Sequence, residues 1–119
     1  MPTLTPMLQV PDIAASIAWY TAVGFEVLGT NEDGGELDWA LLGYGEGRVM
    51  FNIGGHAATA ARRDADLYLD VEGVDALFAA LPPGLDVFEA PHDTFYGMRE
   101  FILRDNNGFW LTFGERLAR

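Results

Sequence analysis

The chain has 119 residues, 50% of them hydrophobic and 21% charged, which is the balance of one folded domain with a sizeable core and not of a disordered segment. It contains no cysteine, so disulfides, thiolate catalysis and cysteine metal sites are excluded. Eighteen acidic residues against seven basic give a net charge of −11, a field that repels nucleic acid and anionic membranes and draws cations.

The opening Met-Pro-Thr-Leu-Thr-Pro carries no basic-then-apolar leader, and no apolar run approaches the length of a membrane span. A cytoplasmic location is the expectation. Leu4 to Val10 reads as a strand, with Pro6 suited to an edge because it lacks an N–H. Asp12 is placed to cap a helix whose Ile13, Ile17 and Tyr20 recur at helical spacing and which stops near Gly24. Phe25 to Leu28 reads as a strand and Thr30 to Glu36 as a polar connection. Leu37 to Gly43 and Arg48 to Ile53 form the arms of a hairpin.

Small residues and paired glycine over residues 54–63 mark a linker, which includes His56. Beyond it, Ala65 to Val71 reads as a strand and Val74 to Leu81 as a helix ended by Pro82-Pro83-Gly84. Leu85 to Phe88 reads as a strand and Ala90 to Phe95 as a loop containing His92. Both histidines read as surface residues. The stretch from Tyr96 to Glu115 is a second hairpin. Phe101 and Leu103, then Phe109, Leu111 and Phe113, alternate on either side of an Asp105-Asn106-Asn107-Gly108 turn.

The two halves repeat. Gly54 answers to Gly114 at an offset of 60, and Ile13 answers to Val74 at an offset of 61. Leu41-Leu42-Gly43 are matched to Phe101-Ile102-Leu103, also at 60. Each half is β-α-β-β-β. The expectation is therefore one α+β domain over 1–119. Module one covers about 1–54, a linker about 55–63 and module two about 64–119. One helix per four-stranded sheet leaves a sheet face uncovered, and two such sheets side by side can line a concave groove.

The βαβββ repeat, the opening LQVPDIAASIAWYTAVGFEVLG and the closing GMREFILRDNNG resemble the vicinal oxygen chelate superfamily. That group contains glyoxalases, extradiol dioxygenases and bleomycin-resistance proteins. Tyr96-Gly97, Arg99-Glu100-Phe101, Arg104-Asp105 and Gly108 bring the chain nearest the bleomycin-resistance branch. The resemblance implies a curved sheet with a concave groove. It places the superfamily's metal-ligand positions on Thr5, Asn52, Asp66 and Thr112. One carboxylate, two hydroxyls and an amide make a poor site for Zn²⁺ or Fe²⁺. The reading is accordingly of no metal and no other cofactor, with binding favoured over turnover. Asp66 reads as a ligand-binding or structural carboxylate ahead of a buried base.

The branch's members sequester a bulky cationic glycopeptide at a dimer interface, which wants flat aromatics and carboxylates. The candidate ligand-binding residues are Asp38, Trp39, Asn52, Asp66, Tyr96, Trp110 and Thr112, with Phe51, Phe101 and Phe113 assigned to the core. Trp110 shares strand parity with Thr112, which sets Phe109, Leu111 and Phe113 toward the helix. The expected function is metal-free sequestration of a cationic aromatic small molecule by a homodimer, an antibiotic-resistance role without nucleic-acid or membrane partners. The alternatives are a glyoxalase-like lyase, isomerase or dioxygenase with an atypical metal site, and a carrier for another aromatic metabolite.

Overall fold

The structure, a computed structural model, describes residues 3–54 and 65–118. The linker expected at 55–63, with His56, lies outside the described residues. The chain divides into two compact units that part between residues 57 and 58.

The first unit runs β1 (Met7–Val10), α1 (Ile13–Ala22), β2 (Glu26–Asp33), β3 (Glu36–Tyr44) and β4 (Gly47–Ile53). Its sheet order is β1-β4-β3-β2, with β1 parallel to β4 and the other pairs antiparallel. The second unit repeats this as β5 (Asp66–Asp70), α2 (Val74–Ala79), β6 (Asp86–Asp93), β7 (Met98–Arg104) and β8 (Trp110–Arg116), in sheet order β5-β8-β7-β6. The α+β fold of two βαβββ modules is thus as the repeat implied.

Local chemistry explains the boundaries. Asp12 caps α1: its side chain accepts from the Ala15 N–H at 3.0 Å, satisfying one of the helix's orphan donors. Pro6 donates nothing to the sheet, but its carbonyl accepts from Met50 N–H at 2.9 Å, so β1 enters its ladder through an acceptor alone. In the second hairpin, Asp105 Oδ1 accepts from Asn107 N–H at 2.7 Å and Phe109 N–H at 2.9 Å. That turn closes through Gly108 at φ 87°, a left-handed position that a side chain would strain.

Each helix packs on one face of its own sheet. In the first unit Val10, Ile13, Tyr20, Ala40, Leu42, Val49 and Phe51 are buried, and Tyr20 meets Phe51 edge-on at 4.8 Å. In the second, Val74, Phe101, Leu103, Leu111 and Phe113 are buried, and Phe101 stacks on Phe113 at 4.7 Å. Phe109 is buried with them, so Phe109, Leu111 and Phe113 share the helix side while Trp110 and Thr112 stay partly exposed.

Three details differ from the sequence reading. The polar stretch from Thr30 is strand as far as Asp33, and Ala90 to Asp93 is strand, not loop. Both lie on edge strands whose residues are mostly exposed, so the alternation that announces a half-buried strand is missing and only the backbone ladder reveals it. The helix expected from Val74 to Leu81 ends at Ala79.

The third difference concerns the repeat. On β4 and β8, Met50 and Asn52 correspond to Trp110 and Thr112. Their partners are Leu41 and Trp39 in one unit and Arg104 and Ile102 in the other, so the inner arm advances by 63 and not by 60. The first hairpin turns on Gly45-Glu46 alone and the second needs a longer turn. An odd change in offset exchanges the two faces of a strand. The counterpart of Ile102 is therefore Trp39, not Leu42. The first strands shift too: Met7 and Gln9 stand where Asp66 and Tyr68 stand, and Thr5, matched by sequence to Asp66, precedes β1.

Candidate functional site

In each unit the sheet face away from the helix carries polar residues beside a partly exposed tryptophan, Trp39 on the first and Trp110 on the second. On the first unit Trp39 pairs with Asn52 and Leu41 with Met50, while Gln9 lies beside Asn52 on the parallel side. All four residues of the β3–β4 pairs are partly exposed. The Trp39 ring packs over Gly29, 3.5 Å from where a Cβ would stand, which is ordinary contact. The buried Oδ1 of Asn52 accepts no hydrogen bond among the described residues. A buried acceptor without a donor costs about 1–3 kcal/mol, so it is a natural contact for a ligand N–H or O–H.

On the second unit Asp66 pairs with Trp110 and Tyr68 with Thr112 along the parallel ladder. Ile102 lies across from Thr112, and Arg104 across from Trp110. Strand β7 therefore presents Glu100, Ile102 and Arg104 to this face, and Phe101 and Leu103 to the core. Phe88 from β6 lies against Trp110 at 4.2 Å, and the Arg104 guanidinium sits 4.8 Å from the Phe88 ring centre. Arg104 also faces Asp86 at 3.5 Å.

The centre of this face is Glu100. Its residue surface is 2% exposed. Tyr68 donates its hydroxyl to Glu100 Oε2 at 2.8 Å, and Tyr96 donates to Oε1 at 2.7 Å. Both carboxylate oxygens thus have a donor, which makes burial of the group tolerable. Burial and the adjacent carboxylate hold the Tyr68 phenol above the usual tyrosine range. The Tyr96 phenol is raised as well, chiefly by its hydrogen bond to Glu100.

Gly114 makes the constellation possible. It pairs with Glu100 across the ladder, and the Tyr68 ring lies directly over it. A Cβ at Gly114 would collide with the Tyr68 hydroxyl and come within 2.8 Å of Tyr68 Cζ. In the first unit Gln9 lies near Gly54 in the corresponding place.

The structure thus sets Asp66 beside Trp110 with Thr112 on the same strand face in the second unit, and Trp39 beside Asn52 in the first, while Tyr96 lies at Glu100, further along the second sheet. Asp38 has the parity of Ala40 and Leu42, opposite to Trp39, and accepts from Asn31 Nδ2 at 2.9 Å. His92 is on the sheet, in register with Glu100, and bonded to Glu89 at 2.9 Å. Tyr68 was not singled out in the sequence, and Glu100 only as part of the Arg99-Glu100-Phe101 motif and not as a site residue. The available signal was a glutamate inside a strand, at the parity opposite Phe101 and Leu103, facing a strand glycine.

The superfamily's metal does not fit these residues. The second unit offers Asp66 and Thr112 at the ligand positions, the first offers Asn52, and Thr5 is outside the ladder. Among the described residues no three His, Asp or Glu side chains gather in a metal-binding group. Among the same residues no helix is long and apolar enough to cross a membrane.

A strand order that repeats, a helix on one face of each sheet and a polar-aromatic opposite face together define the class. The sequence profile of the Glyoxalase/Bleomycin resistance protein/Dioxygenase superfamily matches residues 4–113, and the chain belongs to that superfamily. No functionally curated protein matches the sequence. Among solved structures, TioX from Micromonospora sp. ML1 is similar, with 24% identity and a TM-score of 0.74 over 99% of this chain and 98% of that one. The bleomycin resistance determinant encoded on transposon Tn5 is 16% identical, with a TM-score of 0.72 over 99% and 100% of the two chains. A bleomycin-binding protein complexed with bleomycin is 17% identical, with a TM-score of 0.72 over 98% and 99%. At these identities the likeness is one of fold.

Proposed function

We propose that the protein is a metal-free small-molecule-binding member of its superfamily that sequesters a cationic aromatic ligand in a groove at a homodimer interface. The observation that carries this is the composition of the face away from the helix in the second unit, where Asp66 is in register with Trp110, Thr112 follows on the same face of the strand, and Tyr96 is bonded to Glu100 further along. Flat rings with a carboxylate beside them bind planar cations by stacking and charge pairing. The net charge of −11 supplies long-range attraction of the same sign.

In this reading Trp110 and Tyr96 of the second unit stack on a ligand, Asp66 pairs with its charge and Thr112 takes a hydrogen bond, and on the first unit Trp39 and Asn52 Oδ1 offer stacking and hydrogen bonding of the same kind. Asp38, at the other parity of its strand, contributes field and not contact. The similar fold of a bleomycin-binding protein complexed with bleomycin supports drug sequestration, and hence antibiotic resistance, as the role. No group is assigned to turnover.

The test is a tryptophan-fluorescence titration with a bleomycin-type drug in buffer containing a chelator. Saturation near one ligand per chain is expected, with affinity falling as salt is added. Trp39→Ala is expected to weaken binding by about 1–3 kcal/mol. A flat titration refutes the drug assignment, and binding abolished by the chelator refutes the metal-free reading. A 13 kDa particle by sedimentation refutes the dimer.

A further inference from the structure

We propose that Tyr68, Tyr96 and the buried Glu100 form a cage for a quaternary ammonium group, a cation subsite separate from the Asp66–Trp110 pair. It rests on the cationic-ligand reading above and names the chemistry of the cation. The rings and the carboxylate divide the labour. Tyr68 is 53% exposed and Tyr96 56%, while Glu100 is 2% exposed. A ligand therefore reaches the ring faces and not the carboxylate. Phe95, 99% exposed and edge-on to Tyr96 at 5.0 Å, adds a third ring at the rim.

The buried carboxylate changes what those rings offer. Each phenol donates its only hydroxyl proton to Glu100, and a hydrogen bond to an anion pushes electron density back toward the ring. The negative ring face is what attracts a cation. The same bonds cover the carboxylate, so a ligand cation meets ring faces and phenol oxygens in place of the carboxylate itself. A fully alkylated nitrogen has no N–H to satisfy and binds by the ring faces alone.

Asp70 and Glu89 lie close enough to add negative charge at Tyr68 and Tyr96 respectively. Of the basic residues on this face, Arg104 stands beyond Ile102 beside Asp86, His92 is in register with Glu100 but bonded to Glu89, and Arg116 is in register with Met98 on the next rung. Gly114 is needed in this arrangement because only an absent side chain lets Tyr68 cross β8 to reach Glu100.

The experiment is an NMR titration of the intact protein with choline, following the tyrosine ring resonances. The control is choline's neutral isostere, with carbon in place of nitrogen. Saturable shifts of Tyr68 and Tyr96 with choline and not with the isostere are expected. Tyr96→Leu, which removes an exposed ring, should weaken choline binding by roughly three- to thirty-fold. Tyr96→Phe, which keeps the ring, should lose less. Equal response to the isostere, no response of either ring, or equal loss in both variants overturns the cage. The bleomycin-type titration separates the two claims. Drug binding without a choline response overturns the cage alone, and a choline response without drug binding overturns the drug assignment alone.

Discussion

Replacing Gly114 by alanine tests whether one missing side chain organises the polar face of the second sheet. The new Cβ meets the Tyr68 hydroxyl, lies 2.8 Å from Tyr68 Cζ and 3.3 Å from Glu100 Cγ. Glu100 is on the central strand β7 and cannot retreat, so Tyr68 must swing out and surrender its bond to Oε2. A hydrogen bond to a charged group contributes about 1.5–3 kcal/mol, and the half-exposed Tyr68 regains water, which places the loss toward the lower end. Against it, alanine in a strand gains about 0.5–1 kcal/mol over glycine by restricting the unfolded chain. The net expectation is a loss of about 0.5–1 kcal/mol, or a fall in Tm of roughly 2–6 °C. Urea unfolding followed by circular dichroism reads it, with the midpoint falling and the slope unchanged. In a Tyr68→Ala background the collision partner is gone, and Gly114→Ala should then be neutral or stabilising. Equal destabilisation in both backgrounds would falsify the account, because it would place the cost of the Cβ elsewhere.

Glu100→Gln is expected to bring the Tyr68 and Tyr96 phenols back toward the ordinary tyrosine range, read as earlier ionisation in an alkaline absorbance titration. The sign follows from linkage. Phenols raised on folding give stability that is complete below about pH 10 and lost as pH climbs past the folded value, so wild type should lose stability above pH 10 more steeply than the variant. Asp105→Ala removes the acceptor of two backbone N–H groups in a buried turn and should cost about 1–3 kcal/mol by urea unfolding. A change below a few tenths would mean that water replaces the side chain. Glu115→Ala should uncap α2, since its two oxygens accept from Gly73 N–H and Val74 N–H at 2.9 Å each. Loss of a cap costs about 0.5–2 kcal/mol. Amide exchange at residues 74–77 should quicken before the rest of the second unit, and unchanged protection there would refute the cap.

Much of the site was legible as parity. Phe109, Leu111 and Phe113 alternate with Trp110 and Thr112, and burial divides them the same way. Asp38 and Trp39 show the limit of reasoning from adjacency. Neighbours on a strand point to opposite faces, so a pair adjacent in sequence is not a pair in the site. Tyr68 and Glu100 were hidden because they lie 32 residues apart, on β5 and β7 with β8 between them. Edge strands β2 and β6 were cut short because exposure on both sides erases periodicity.

By itself the sequence determined the two βαβββ modules, the cap at Asp12, the Asp105–Gly108 turn and the core aromatics Phe51, Phe101 and Phe113. All of these are written in local chemistry: spacing, a capping side chain and a turn that needs glycine. Tertiary structure alone decided the face-reversing offset between the two hairpins, the cap that Glu115 lends to α2 from 41 residues away, and the meeting of two tyrosines on one buried carboxylate. Each depends on strand register, and register is set by pairing between distant segments and by turn length, which no single segment encodes.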